Sequence, residues 1–232
     1  MPPEKLTGLI ARLPVIGSVQ RKIYQKLLPF PGSRRYWQRR YLLGGHSGVG
    51  SSGKFAAYKA EILNRFVDEH GINSVIEWGC GDGSQLRLAA YPRYLGLDVS
   101  KAAIEKCRRL FSDDRSKRFL LTDAYDGETA ELALSLDVLY HLVEEDTFTA
   151  YMQRLFASAS RFVIIYSSDQ DSPRNPKAEH VRHRHFTPWI EANMADWTLM
   201  RHIPNRFPYH GDHREGSVAD FFIYERSQPA AQ

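Results

Sequence analysis

The chain has 232 residues, of which 43% are hydrophobic and 25% charged, and its formal net charge is +4. These values are ordinary for a globular protein with a sizeable core, and no apolar run approaches the ~20 residues that a membrane-spanning helix needs. Two cysteines are too few for a disulfide framework. Because the N-terminus also lacks a secretory-signal pattern, we expect a cytoplasmic protein.

The first 41 residues are strongly basic. They contain nine Lys and Arg residues against the single acid Glu4, a net charge of +8, so the remaining residues together carry −4. Apolar residues recur there at helical spacing, at Ile16, Val19, Ile23 and Leu27. One or two helices are therefore predicted, interrupted by the prolines of segment 29–32. This leader either packs on the core, lies peripherally on an anionic membrane surface or holds an acidic acceptor. No nucleic-acid partner is expected, because no RNA-binding motif accompanies the charge.

Residues 44–53 form a loop rich in glycine and serine. Residues 48–54 nearly match a phosphate-binding loop, but Phe55 stands where a hydroxyl residue would reach magnesium. A nucleotide-hydrolysing role is therefore not favoured. The loop is interpreted either as a mobile lid over a binding site or as an inert linker. We divide the chain into a leader with its lid loop, 1–53, and a main domain, 54–232.

The main domain begins with a predicted helix at 54–69, after which strands and helices alternate. Strands are predicted at 73–78, 93–98, 117–122, 132–137 and 160–166, and helices at 84–90, 100–111 and 144–158. Two last strands, 197–203 and 218–225, are expected to form a hairpin. Such alternation is typical of an α/β fold in which helices cover both faces of a parallel sheet.

The end of the first predicted strand carries an acidic residue and a glycine cluster. Glu77 is followed by glycines at alternate positions, Gly79, Gly81 and Gly83. Glycine lets the backbone turn sharply and approach a ligand closely. The G-x-G-x-G spacing differs from the G-x-G-x-x-G of dinucleotide-binding folds, and the acid favours a ligand with hydroxyls or an ammonium group.

Three further acids follow later strand ends. Asp98 lies 19 residues after Gly79 and is placed to accept hydrogen bonds from the hydroxyls of a ribose. Asp123 and Asp137 end the next two apolar runs, and Asp123 is a candidate acceptor for an adenine amino group. Ligands bind at the carboxyl edge of open parallel sheets. The four acids therefore predict a nucleoside site at this edge.

These features resemble the class I S-adenosylmethionine-dependent methyltransferases, over roughly residues 55–225. The most specific motif is Glu77-Trp-Gly-Cys-Gly-Asp-Gly83. The resemblance implies S-adenosylmethionine as cofactor and a Rossmann-like fold: a mostly parallel seven-stranded sheet with a C-terminal antiparallel hairpin, here with an N-terminal helical extension. It assigns to the cofactor the residues Glu77, Trp78, Gly79, Cys80, Gly81, Gly83, Asp98, Val99, Asp123, Ala124 and Asp137.

A second resemblance is to a subgroup of these enzymes associated with bacterial surface-glycan assembly. It depends on the Ser-Gly-Val-Gly-Ser loop, the glycine turn, and the later segments His-Arg-His-Phe-Thr and Ile-Pro-Asn-Arg-Phe-Pro. This resemblance implies O-methylation of a sugar hydroxyl in a glycan. The alternatives are methylation of a small metabolite or a protein side chain, or a non-catalytic nucleoside-binding protein of the same fold.

Several histidines and their neighbours are candidates for the reaction itself. His141 follows Asp137 by four residues, so it either takes a proton from the acceptor or only shapes the site. His183 and His185 are the alternative bases. The interleaved arginines would repel a metal ion, so no metal is expected, and they suit an oxygen-rich or anionic acceptor instead. The residues assigned to the acceptor are Ser47, Tyr140, Arg182 and Arg184.

Overall fold

The computed structural model describes residues 30–172 and 178–227. Its helices are α1 (Ser33–Leu42), α2 (Gly53–Glu69), α3 (Lys101–Leu110), α4 (Glu145–Ala157) and α5 (Thr187–Asn193). Its strands are β1 (Val75–Trp78), β2 (Tyr94–Asp98), β3 (Lys117–Leu121), β4 (Ala130–Leu136), β5 (Ala159–Ser167), β6 (Trp197–Ile203) and β7 (Asp220–Arg226). The apolar stripe predicted at residues 16–27, with its membrane interpretation, lies outside the described residues. Among the described helices, none is long and apolar enough to cross a bilayer.

The seven strands form one sheet in the order β3-β2-β1-β4-β5-β7-β6. The first five strands run parallel, and β7 pairs antiparallel with both β5 and β6. The predicted fold class, including the C-terminal antiparallel hairpin, is confirmed. The chain order reverses between β1 and β4, which is the switch point where open α/β sheets bind ligands.

The core lies on both faces of this sheet. One cluster joins the buried face of α2, including Leu63 and Phe66, to Leu132 and Ile164 of the central strands. The other joins α4 and α5 to the opposite face of the same strands. Because β1 and β4 are buried on both faces, their sequences are almost continuously apolar.

One predicted helix is wrong. The segment 84–90 contains only a single 3₁₀ turn, Leu86–Leu88. The sequence offers little to sustain a longer helix, because a proline follows at position 92 and Ala89 already adopts an extended conformation. The short connection keeps the glycine turn close to β2.

Helix α1 lies at the carboxyl edge of the sheet. It begins at Ser33, directly after Gly32 with a φ of 94°. The Ser33 hydroxyl accepts a hydrogen bond from the Val143 amide at 2.9 Å, and the Gln38 side chain donates to the Val99 carbonyl at 3.1 Å. These contacts link α1 to the loops that follow β4 and β2.

Candidate active site

The turn after β1 has the conformation that its glycines make accessible. Gly79, Gly81 and Gly83 have φ values of 85°, 58° and 78°, in the region that favours glycine. A Cβ at Gly79 would lie 2.5 Å from Val138 Cγ2, and one at Gly81 would lie 2.5 Å from Ser47 Oγ. The glycines therefore serve both the turn itself and the close approach of the segments around it.

Asp98 lies directly beneath this turn. Its carboxylate accepts hydrogen bonds from the Gly81 amide at 3.0 Å and the Ser100 amide at 2.8 Å. Burial raises the pKa of Asp98 to about 6, and the bonds from the backbone amides oppose that rise. An ionised carboxylate has about four acceptor positions, so the two amides leave capacity for two hydroxyl donors.

Glu77 is the second buried acid of the turn. Its carboxylate accepts a 2.6 Å hydrogen bond from the Tyr94 hydroxyl. Burial raises the pKa of Glu77 to about 7, although that hydrogen bond and the charge of Lys59 act in the opposite direction. Trp78, the next residue, points away from the turn, since its indole donates to the Ser158 hydroxyl at 3.0 Å within the core.

The Gly/Ser loop is fastened to the turn through Asp82, a residue to which the sequence analysis gave no separate role. Ser47 Oγ donates to the Asp82 carboxylate at 2.8 Å, and Lys106 Nζ lies 2.7 Å from it. Burial alone would raise the pKa of Asp82, but hydrogen bonds from Lys106, Ser47 and Ser84 lower it to about 2. The loop therefore packs against the glycine turn.

Asp137 follows β4 in a left-handed conformation, with a φ of 60°. Such a conformation is uncommon for a non-glycine residue, although aspartate adopts it more readily than most. Its carboxylate accepts hydrogen bonds from Lys59 Nζ at 2.6 Å and from the Tyr140 hydroxyl at 2.7 Å. Lys59, on α2, is almost completely buried. Its role was missed because the two partners are 78 residues apart in sequence.

These elements enclose one cavity, whose empty space is about 910 Å³ out to its mouth. Its floor contains Glu77, Gly79, Cys80, Asp98 and Asp137. Trp37 and Tyr41 of α1, together with Ser47 and Ser51 of the loop, line other parts of its wall. The cavity therefore lies between the carboxyl edge of the sheet, α1 and the Gly/Ser loop, at the switch point between β1 and β4.

Residues 76–164 match a protein family described as a methyltransferase domain. The matched segment runs from β1 into β5 and includes the glycine turn, Asp98 and Asp137. The described fold is similar to magnesium protoporphyrin IX methyltransferase (ChlM) from Synechocystis PCC 6803 with bound SAM, with a TM-score of 0.60 at 17% identity over 86% of this chain and 100% of that one.

It is also similar to the N-methyltransferase NodS from Bradyrhizobium japonicum WM9 in complex with S-adenosyl-L-homocysteine, with a TM-score of 0.65 at 13% identity over 85% and 100% of the two chains. The mitomycin 7-O-methyltransferase MmcR gives a TM-score of 0.59 at 13% identity, over 83% of this chain and 58% of that one. Comparison with curated protein sequences gives no match.

Asp123 and Ala124, the two residues expected to border the adenine, are not among the residues that line the cavity. Asp123 and Ala124 are exposed, and both oxygens of Asp123 are hydrogen-bonded to Arg34 of α1. The neighbouring Thr122 does line the cavity, and its buried hydroxyl has no hydrogen-bond partner among the described residues. A buried hydroxyl of this kind is suited to an adenine edge, whereas Asp123 is already paired. Val99 also lines this cavity.

His141 lies in the cavity wall. Its Nδ1 is 3.0 Å from the His180 carbonyl, so Nδ1 carries the proton and Nε2 keeps its lone pair. Burial lowers the pKa of His141 to about 4, so the ring is neutral at physiological pH. Trp37 meets the imidazole edge-on at a centroid distance of 4.8 Å.

The other candidate bases lie outside the cavity lining. His183 Nδ1 is 2.6 Å from Ser168 Oγ, and the His183 ring packs near Tyr140. His185 is half exposed, and its Nε2 lies 3.5 Å from the Asp169 carboxylate. Of the three histidines proposed from sequence, the structure brings His141 alone into the cavity wall.

The arginines assigned to an anionic acceptor are used internally, contrary to the expectation from sequence. Arg182 donates to the Val143 carbonyl and pairs with Glu145 at 2.9 Å. Arg184 is buried, donates to the Leu142 and Val143 carbonyls, and lies over the Phe148 ring. Both guanidiniums thus brace the start of α4. A search of the described residues finds no group of three His, Cys, Asp or Glu side chains able to hold a metal ion.

Proposed function

We propose that this methyltransferase methylates a hydroxyl group, most specifically a sugar hydroxyl of a glycan or glycoconjugate. When bound, S-adenosylmethionine supplies an electrophilic methyl group on its sulfonium. Asp98 holds the ribose hydroxyls, the glycine turn receives the methionine part, and Thr122 with Val99 borders the adenine. His141 accepts the proton that the acceptor hydroxyl loses.

The tautomer and environment of His141 carry the proposal. A hydroxyl acceptor must lose its proton as it attacks, and a positioned neutral imidazole is the usual base for such a step. The Nδ1–H···O=C contact with His180 fixes the ring so that Nε2 is the basic nitrogen. Because its pKa is about 4, the imidazole is unprotonated and available at neutral pH. Positioning of the two reactants supplies most of the acceleration.

The lining of the cavity supports a neutral acceptor. Trp37 and Tyr41 present aromatic rings to the cavity, and aromatic rings have an apolar face on which a sugar ring can stack. Both Arg182 and Arg184 are paired within the protein. An anionic acceptor would therefore find neither of them available.

The test is to incubate the protein with methyl-labelled S-adenosylmethionine and with extracted glycans, lipids and small-molecule pools. We expect label in methyl ethers of monosaccharides released from the glycan fraction by acid hydrolysis. The His141→Ala protein, which should still bind cofactor, is the control for enzyme-dependent transfer. Label found only as N-methyl groups would refute the hydroxyl assignment.

A small-metabolite acceptor is the second candidate, and the position of α1 favours it. Ser33, Arg34 and Trp37 of this helix line the cavity opposite the sheet, which limits the size of an acceptor that can enter while α1 is in place. Label confined to the small-molecule fraction would select this candidate over the glycan.

A further inference from the structure

Lys59 is a buried lysine at the cavity wall whose role neither the sequence motifs nor the proposed proton transfer explains. Its side chain is 1% exposed and pairs with Asp137 at 2.6 Å, and the Tyr166 ring lies 5.1 Å from Nζ. A lysine is rarely buried so deeply unless it is paired. An ammonium group has three donors, and Asp137 is the one hydrogen-bond partner that Lys59 has in the described part of the chain.

The charges facing the cavity are unequally distributed. Glu77, Asp98 and Asp137 are acids on its floor, whereas Lys59 and Arg34 are the cationic side chains among its lining residues, since the His141 ring is neutral. Arg34 lies at the end marked by Thr122 and is held by Asp123. Lys59 is therefore the cation available at the other end, beside Glu77, where the methionine part of the cofactor would lie.

Gln85 adds an independent observation at the same place. Its Nε2 donates to the Ala56 carbonyl at 3.0 Å, which fixes the orientation of the amide. Its Oε1 is buried and has no hydrogen-bond partner within residues 30–172 and 178–227, and the residue lines the cavity. Ala56 precedes Lys59 by three positions on α2, so the two share a helix face. The unpaired acceptor of Gln85 and the ammonium group of Lys59, which has further donors to offer, therefore lie at the same wall of the cavity.

We propose that Lys59 and Gln85 form the subsite for the amino-acid group of the cofactor: Lys59 donates to its carboxylate, and the Gln85 carbonyl accepts from its ammonium group. The inference rests on the proposed placement of the nucleoside at Asp98 and Thr122. A buried carbonyl oxygen costs free energy while unpaired, and an ammonium donor removes that cost. Lys59 meanwhile keeps its bond to Asp137, since it has donors for both.

Two ligands separate this subsite from the rest of the cavity. S-adenosylhomocysteine carries the amino and carboxylate groups, whereas methylthioadenosine has the same nucleoside and a thioether but lacks both. We expect Lys59→Met to weaken S-adenosylhomocysteine binding by about 10–100-fold, the range for loss of a charge-assisted hydrogen bond. The affinity for methylthioadenosine should change less than about threefold. Calorimetry with each ligand measures both values.

Lys54→Met is the matched control, because Lys54 lies on the same helix but pairs with the exposed Glu215. It should leave both affinities unchanged. Lys59→Met leaves the Asp137 carboxylate with its Tyr140 hydrogen bond but without a cation. The double variant Lys59→Met, Asp137→Asn therefore serves as a second test in which that uncompensated charge is absent. It should lose the same preference for S-adenosylhomocysteine over methylthioadenosine.

An unchanged preference in the single and double variants would overturn the subsite, and so would an equal loss of affinity for both ligands. Gln85→Leu should reduce the same preference more modestly, by about 3–10-fold. A wild-type protein that binds neither ligand would instead refute the cofactor placement itself, and the subsite with it.

Discussion

Asp98→Ala is the substitution whose effect the structure predicts most sharply. The carboxylate already accepts bonds from the Gly81 and Ser100 amides, at 3.0 and 2.8 Å. Two acceptor positions remain for the ribose hydroxyls. Hydrogen bonds to a charged group contribute about 1.5–3 kcal/mol each. Losing two of them removes about 3–6 kcal/mol, which is roughly a 10²–10⁴-fold loss of affinity.

The assay is titration calorimetry of S-adenosylhomocysteine into wild-type and variant protein. Asp98→Ala also leaves two buried amides without an acceptor, so we expect Tm to fall by several degrees. Asp98→Asn, which retains one carbonyl acceptor, should lose less stability and still bind weakly. Asp113→Ala, at an exposed position near the end of α3, is the control. A folded Asp98→Ala protein that binds within threefold of the wild type would refute the ribose placement.

Three further outcomes are expected. His141→Ala should lower turnover by about 10²–10⁴-fold, the usual contribution of a general base, with cofactor affinity little changed. Wild-type turnover in His141→Ala would place the base elsewhere, and His185→Ala, which changes an alternative base outside the cavity lining, should keep wild-type turnover. Arg34→Gln removes the Arg34–Asp123 ion pair and should increase the dissociation rate of S-adenosylhomocysteine by up to about fivefold, the scale of one exposed ion pair. An unchanged dissociation rate in stopped-flow measurements would show that this pair does not retain the ligand. The pKa of Glu77 is about 7 in the folded protein, above its ordinary value of 4.5. Between these two pH values Glu77 is protonated in the folded state and ionised in the unfolded state, so the free energy of unfolding should increase as pH falls from about 7 to 4.5. Urea titrations at several pH values should show a weaker pH dependence of the free energy of unfolding in Glu77→Gln than in the wild type. An equal pH dependence in the two proteins would contradict the raised pKa of Glu77.

The features predicted correctly from sequence are those encoded locally. The predicted C-terminal ends of the first two strands, at Trp78 and Asp98, agree with the structure. The first follows a β-branched run and precedes the glycine cluster, and the second is an apolar run that ends at an acid. The same local pattern predicts the turn after β1. It also indicated the antiparallel hairpin, whose first strand has the predicted bounds, 197–203.

The features that were missed depend on contacts between distant segments. Lys59 in the helix pattern of α2 is indistinguishable from a solvent-exposed lysine until Asp137 is brought beside it. Likewise Asp123 lies two residues after the end of β3, close to its predicted position, but the strand pattern contains no information about Arg34, 89 residues earlier. The internal partners of Arg182 and Arg184, at positions 142–145, are likewise distant in sequence. A guanidinium suited to an anionic acceptor is equally suited to the backbone carbonyls at the start of α4.

The most direct test of the central claim is a crystal structure of the protein with S-adenosylhomocysteine. The ribose hydroxyls should lie within hydrogen-bonding distance of the Asp98 carboxylate, with the adenine beside Thr122 and Val99 and the homocysteine end at the glycine turn. A ligand bound away from Asp98 and the Gly79–Gly83 turn, in a protein that retains its fold, would contradict the account.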